Sequence, residues 1–373
     1  MVFDFIVLGA GMAGVSVADA LAGSARVALL EVEPHPGYHA TARSAALFAP
    51  SYGSATFTAL TRASEAFLSA PPPQFFPRPV LRPRGALYLA RADQRARLAA
   101  EFDELRAAGV AIEMLSVEAA RARVPALRPG YAAAIAYQSD VRDIDVEALF
   151  RGLLNRGRAG GVQLTVNAQL GSPERSQNLW HLTVSGERLS GRVVVNATGA
   201  WADPVAERFG AAPLRLQPLR RSAAIIDGPP GEDLAAWPAV FDIDELFYLK
   251  PDAGRLLISP ADEEPSAPGD AYAEDLAIAT AVERIQGALE LDVQRVHRSW
   301  AGLRTFAPDR DPVIGYDPQV SGFFWCAGQG GYGIQSAPAF AQLAAALARH
   351  EPVPEAIRTQ GVTEAAVLPG RFS

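Results

Sequence analysis

Residues 3–11, FDFIVLGAG, form a short apolar run, interrupted only by Asp4, that stops at glycine, the pattern of a strand buried on both faces of a parallel sheet. MAGVSVADALAGS continues with apolar residues at helical spacing and is closed by Gly23; ARVALLEVE (25–33) is a second apolar run, completing a β-α-β unit. The prolines of 70–85, APPPQFFPRPVLRPRG, break any regular rhythm and predict a crossing between domains. Amphipathic helices are predicted over 93–109, in SVEAARARVPAL, and over 143–161, with VQLTVNAQL as a strand after the last. Alternation around Ser185 and Gly186 in 179–199 predicts a hairpin. The section 213–299 reads as antiparallel strands (RRSAAIID, ELFYLKPDAGRLLISPA) plus an alanine-rich helix near 273–287. Finally, 322–350 repeats the strand–glycine–helix plan, its helix N-terminus expected from Gly333 on.

Composition narrows the class. At 373 residues and 49% hydrophobic, the chain can bury a large core as one domain or two interleaved ones. A net charge of −7 gives it no electrostatic claim on nucleic acid or anionic lipid. The single cysteine, Cys326, excludes an internal disulfide and points to a reducing compartment. No basic leader precedes the first glycines and no run of about 18 apolar residues occurs, so a cytoplasmic protein without a transmembrane segment is expected. The five histidines show no paired spacing, so no metal site is expected.

Gly9, Gly11 and Gly14 make G-x-G-x-x-G between a strand and a helix, a loop whose backbone can approach a pyrophosphate at the helix N-terminus. Glu31 closes the next strand, where a carboxylate can take ribose hydroxyls. NAD and FAD both satisfy this unit. Farther along, VVVNATGAWAD (193–203), WAGLRTFAPDRDPVIGYD (300–317) and GQGGYGIQ (328–335) occur in the order of the D-amino-acid oxidase and glycine oxidase superfamily. Within it the chain most resembles the FAD-dependent D-amino-acid dehydrogenases of the D-arginine dehydrogenase type, on PGYHATARSAALFAPSYG (36–53), LQPLRRSAAII (216–226), FYLKPDAG (247–254) and AGQGGYGIQ (327–335).

That resemblance implies an α/β fold: a Rossmann-like FAD-binding region with a parallel sheet (1–75, 140–212 and 300–373), interleaved with a substrate region on an antiparallel sheet (76–139 and 213–299). It implies non-covalent FAD, since Cys326 sits inside the strand FFWCAG. Ala13 joins the first glycine loop, and Val32 lies beside Glu31. The small and hydroxylated run His39, Thr41, Arg43, Ser44, Ala45, Ala46 and Leu47 passes the isoalloxazine ring. Leu170, Ala197 and Gly199 complete the nucleotide end, and Gly330, Gly331, Tyr332, Gly333, Ile334 and Gln335 face the flavin's N1–C2=O edge. Family enzymes move a hydride from the amino-acid Cα to flavin N5, and the imino acid then hydrolyses to a 2-oxo acid and ammonia. Arg221 and Arg304 are the implied carboxylate forks. Tyr52 and Tyr248 donate hydroxyls or line the pocket, and the amine meets backbone carbonyl near Gly331. Arg220 is read as solvated, and Lys250, the chain's only lysine, as structural.

The chain departs from arginine-preferring relatives at RPRGALYLA (82–90), where Ala86 stands in place of a carboxylate, and at Leu47 and Phe48, where they place polar groups. The expected preference is for neutral D-amino acids over D-arginine, with a quinone-like or other electron acceptor. Asp242, Asp244 or Glu245, ahead of Tyr248, are left as alternative pocket acids. A dioxygen-using glycine/sarcosine-type oxidase and a non-catalytic flavin-binding subunit also remain open.

Overall fold

The computed structural model describes residues 2–372. In its first sheet Gln163–Thr165, Val27–Leu30, Val2–Leu8, Glu187–Asn196 and Phe323–Ala327 run parallel; Val313–Tyr316 pairs antiparallel with the last of these, and Leu179–Val184 pairs antiparallel with Glu187–Asn196 and carries Glu174–Ser176 at its outer side. Alternate residues divide between two cores. Phe5, Val7, Leu29, Phe324 and Cys326 pack under the helices Met12–Leu21, Ala55–Ser69, Val146–Ala159 and Ala337–Ala348. Ile6, Leu8, Leu30, Phe323 and Trp325 pack on the other face against Trp180, Ala202 and Phe209. Burial on both faces is why these segments read as continuous apolar runs rather than alternating ones.

The second sheet runs Val296–Phe306, Gln217–Ile226, Arg255–Ser259, Tyr248–Asp252, Ala239–Asp242, Ala86–Ala90, Ala134–Gln138 and Ile112–Met114. It is antiparallel except where Val240 pairs in parallel register with Leu87. Strand alternation gives it two faces. Leu87, Leu89, Ala224, Ile226, Val240, Leu249, Leu256 and Ile258 pack with Ile278, Ala281 and Ile285 of the helix Asp275–Ala288. The opposite parity puts Tyr88, Arg221, Phe241, Tyr248 and Lys250 on one face, together with Arg304, since Leu219 pairs Arg304 and Arg221 pairs Gly302. Every prominent polar residue of the candidate site that lies on this sheet lies on that face.

Several elements differ from expectation. Val296–Phe306 crosses the boundary drawn at 300 and pairs along its length with Gln217–Ile226, so residues 300–306 lie in the antiparallel sheet. VQLTVNAQL gives a strand only over Gln163–Thr165, because Asn167 turns into left-handed backbone (φ 51) and pairing ends there. The helix expected from Gly333 begins at Ala337 instead: residues 332–336 form turns, with Ser336 N–H on the Tyr332 carbonyl, before Pro338 in the first helical turn. The proline-rich crossing drops Phe76 into the core against Gly152, where a Cβ would lie 2.1 Å from the ring. The hairpin turns at Ser185 and Gly186, with φ of 49 and 90, the mirror-image turn that suits twisted strands. No helix among the described residues is long and apolar enough to cross a membrane.

Candidate active site

The first glycine loop is closed by contacts only glycine permits. A Cβ on Gly9 (φ +89) would lie 2.7 Å from the Ala197 carbonyl oxygen, and one on Gly14 only 1.8 Å from that of Gly9. The helix above therefore sits tightly on its strand. Thr41 Oγ1 accepts from Met12 N–H at 2.9 Å, whereas the N–H groups of Gly11, Ala13 and Gly14 have no acceptor among the described residues. Three free donors at a helix N-terminus form an anion cradle. Glu31, 8% exposed, is pinned by Ala10 N–H (2.7 Å) and Glu33 N–H (3.0 Å), leaving carboxylate lone pairs for sugar hydroxyls. Val32 beside it is an exposed apolar side chain, 53% accessible, suited to cover a planar base. Ala197 is buried, and Gly199 has left-handed backbone with open space where a side chain would go. Leu170 is bridged to Val184 at the neighbouring sheet edge.

The 39–47 run crosses from this cradle to the second sheet. His39 Nε2 meets Glu33 at 3.0 Å and its ring lies 4.7 Å from that of Trp201. Arg43 bonds the carbonyls of Ala271 and Ala301 and pairs with Asp270, and its own carbonyl accepts from Trp300. These contacts fix the run, so Ser44 is exposed while Ala45, Ala46 and Leu47 stay part-buried. Gln335, from the far end of the chain, accepts from Ala49 N–H at 3.0 Å and donates to the Tyr52 carbonyl at 3.2 Å. It joins the second glycine loop to the first wall of the pocket. Gly333 lies against the Gln329 side chain, and Ile334 packs on the main core.

Beyond that loop the four polar residues come together. Arg304 lies against Gly331 so closely that a Cβ there would be 2.9 Å from Nη1; a Cβ on Gly330 (φ +52) would enter the Phe306 ring. Arg304 has no carboxylate within ion-pair distance among the described residues. Burial opposes its charge, but the Tyr52 and Tyr248 phenols and Glu263 hold its pKa above the ordinary arginine value. Burial in turn raises the Tyr52 phenol, against the pull of Arg304 and Arg221, so Tyr52 stays a donor at neutral pH. Tyr332 packs on Phe57 (4.6 Å) and Tyr52 (5.0 Å), and burial pushes its phenol up to about 12. Arg221, 7% exposed, is already paired: its Nη2 lies 3.1 Å from Glu263.

Next to the arginines, Leu47, Tyr52, Tyr88 and Phe241 form an apolar wall, with Phe241 5.8 Å from Tyr248. Ala86 has no accessible surface and lies behind this wall with Ala49 and Val141 rather than on it. Of the three alternative acids, Asp242 is tied to Arg91 and Gln94, and Asp244 to Arg97 and Gln94. Glu245 is exposed, with left-handed backbone (φ 55) and no ion pair among the described residues, and its charge reaches Tyr52, Tyr88 and Tyr332.

Other expectations resolve locally. Arg220 faces away from the site, but it pairs with Glu274 and lies 3.7 Å from Asp262 instead of being solvated. Lys250 donates to Asp143 at 2.8 Å, and Asp143 also holds Arg84, tying the second sheet to the strand Arg142–Ile144. Lys250→Met is expected to lower stability by about 1–3 kcal/mol, read as a fall in the thermal midpoint. Cys326 is enclosed and burial raises its thiol pKa far above the ordinary value. Asn196 of the NATG stretch is fully buried, bonding the Ala202 carbonyl and Thr198. The sequence reading missed Phe57, Glu263 and Arg310; a DEE run in a loop reads as solvated until its partners are known.

Residues 4–347 match the family described as DAO, FAD dependent oxidoreductase. The chain belongs to this family. The family is one of FAD-dependent oxidoreductases, and the glycine cradle, pinned Glu31 and free N–H groups of this chain fit that dinucleotide. Among curated relatives, the FAD-dependent oxidoreductase domain-containing protein 1 of Mus musculus is 24% identical over 69% of this chain and 60% of its own. The chain spans between 33% and 60% of the length of the curated relatives it matches. The DAO fold is also that of the glycine oxidase of Geobacillus kaustophilus, with TM-score 0.82, 22% identity and coverage of 94% and 95% of the two chains. It is likewise that of the L-proline dehydrogenase of P. horikoshii, with TM-score 0.80, 19% identity and coverage of 100% and 98%.

Proposed function

We propose that this chain oxidises D-amino acids with neutral, apolar side chains to imino acids, which water then converts to 2-oxo acids and ammonia. The observation that supports it is the juxtaposition of an arginine lacking an anion, Arg304, with an apolar wall of Leu47, Tyr88 and Phe241. Arg304 is part-buried, and a guanidinium drawn partly out of water without a counter-ion is costly; an α-carboxylate matches its fork. Tyr52 and Tyr248 then donate to the same carboxylate, and the amine donates to backbone carbonyl oxygen in the Gly330–Gly331 loop. The wall then receives the side chain, each buried methylene adding about 0.8 kcal/mol. Non-covalently bound FAD supplies the two-electron acceptor for the hydride leaving Cα. No protein base needs to take the α-hydrogen as a proton, because it leaves with its electron pair as hydride while the lone pair of the neutral amine forms the C=N bond.

The apolar wall favours an α-substituted substrate over the glycine/sarcosine-type alternative, which would leave it unfilled. Engagement of Lys250 by Asp143 supports a quinone-like or other acceptor over dioxygen, because no unpaired lysine adjoins Tyr248. A flavin-binding subunit without catalysis would have no use for an unpaired, part-buried arginine. Glu245 favours a second, weaker specificity: its free carboxylate suits a distal cation.

The test is an anaerobic titration of the yellow holoenzyme with D-leucine, L-leucine, D-arginine and sarcosine, followed by visible absorbance. D-leucine is expected to bleach the flavin at lower concentration than D-arginine, with L-leucine inert. Glu245→Gln should weaken D-arginine alone. Bleaching by L-leucine, or by sarcosine but no D-amino acid, would overturn the assignment.

A further inference from the structure

Arg221 and Arg304 lie on adjacent strands and on one sheet face, yet they are not equivalent cations. Arg221 is the more enclosed, and its Nη2 is taken by Glu263 Oε1 at 3.1 Å; its Nε is buried without a partner. Glu263 is shared outward as well. Arg310 Nη2 reaches both of its oxygens, at 3.0 and 3.1 Å, while lying 3.8 Å over the Phe306 ring with its side chain 46% exposed. The segment bearing Glu263 is fixed on both sides: Asp262 accepts from Ser222 N–H and Oγ at 2.7 Å each, and Glu264 pairs in register with Arg220. Burial would push the Glu263 carboxyl up, but Arg310, Arg221 and Arg304 together hold it below the usual range, so it is a permanent anion at neutral pH.

Resting on the carboxylate-binding reading of Arg304, we propose that Glu263 is a charge-matching residue that cancels Arg221, so that the pocket accepts one carboxylate, on Arg304, and discriminates against ligands with two. The two inner guanidiniums and one internal carboxylate leave a single unbalanced positive charge, the complement of a monocarboxylate. A second acid group on the substrate finds Arg221 occupied. Arg310 draws part of the Glu263 charge outward and so sets how completely Arg221 is cancelled. Glu263 touches no substrate in this arrangement; it acts by holding Arg221.

The two ends of the network predict opposite signs. Titration calorimetry of the holoenzyme with propionate and malonate reads anion binding without turnover. Glu263→Gln is expected to bind malonate about tenfold more tightly and propionate only about threefold, because the freed Arg221 meets the second carboxylate. Arg310→Gln should weaken both ligands about threefold, since Glu263 then concentrates on Arg221. Flavin content and thermal midpoint confirm that both variants are folded. Weaker binding of both anions by both variants, the mark of a merely structural role, overturns the inference, as does an unchanged malonate-to-propionate ratio in Glu263→Gln. If D-leucine fails to bleach the flavin while these shifts occur, the substrate assignment fails and the charge-matching role stands.

Discussion

Replacing Arg304 with methionine is expected to lower kcat/KM for D-leucine by about three orders of magnitude, roughly 4 kcal/mol, because the substrate carboxylate then loses its one unpaired fork in a desolvated pocket. Arg221 cannot substitute, since Glu263 holds it. Arg304→Lys is expected to recover little. An ammonium makes no bidentate contact, and the packing of the planar guanidinium on Gly331 is lost with it. The measurement is steady-state turnover with an artificial electron acceptor, normalised to bound flavin. A drop smaller than about tenfold would remove Arg304 from the carboxylate site and the proposed substrate class with it.

Gly14→Ala is expected to yield protein nearly devoid of FAD, with a markedly lower thermal midpoint. Its new Cβ would fall 1.8 Å from the Gly9 carbonyl oxygen, so the helix Met12–Leu21 must lift from its strand and carry its N–H groups out of reach of the phosphates. Gly11→Ala is the control. There a Cβ would meet only Thr41 Oγ1, at 3.5 Å, an ordinary contact, so the protein should fold with its thermal midpoint in the apo form unchanged. Any loss of FAD affinity in that variant reports the approach of the ligand itself. The ratio of visible to ultraviolet absorbance after purification reads both. Full flavin occupancy in Gly14→Ala would mean that the cradle tolerates the shift and that the cofactor is not held there.

Glu263 and Lys250 mark where sequence and structure part. Both are charged residues in unremarkable local patterns, and neither has a sequence neighbour that announces its partner. Arg221 lies 42 positions from Glu263, and Asp143 lies 107 from Lys250. The Arg221–Arg304 pair was legible only through resemblance; register then added that the two share a face while one is already engaged. Ala86 shows the converse. Its position on the strand was readable, but its burial behind Tyr88 and Phe241 was not, because which layer of side chains meets the ligand depends on packing between strands.

By itself, the sequence determined the β-α-β unit, the glycine cradle, the Ser185–Gly186 turn and the longest strands of each sheet, because these depend on interactions a few residues apart: periodicity of burial, left-handed backbone, and helix termini. It also determined the family. Tertiary structure alone decided that Val296–Phe306 joins the antiparallel sheet, that Gln335 ties the C-terminal glycine loop to Tyr52, and that Glu263 neutralises one arginine and leaves the other free. Those are outcomes of long-range pairing and of charge placed in a desolvated space, where the energy of a group is set by whatever the fold brings beside it rather than by its place in the chain.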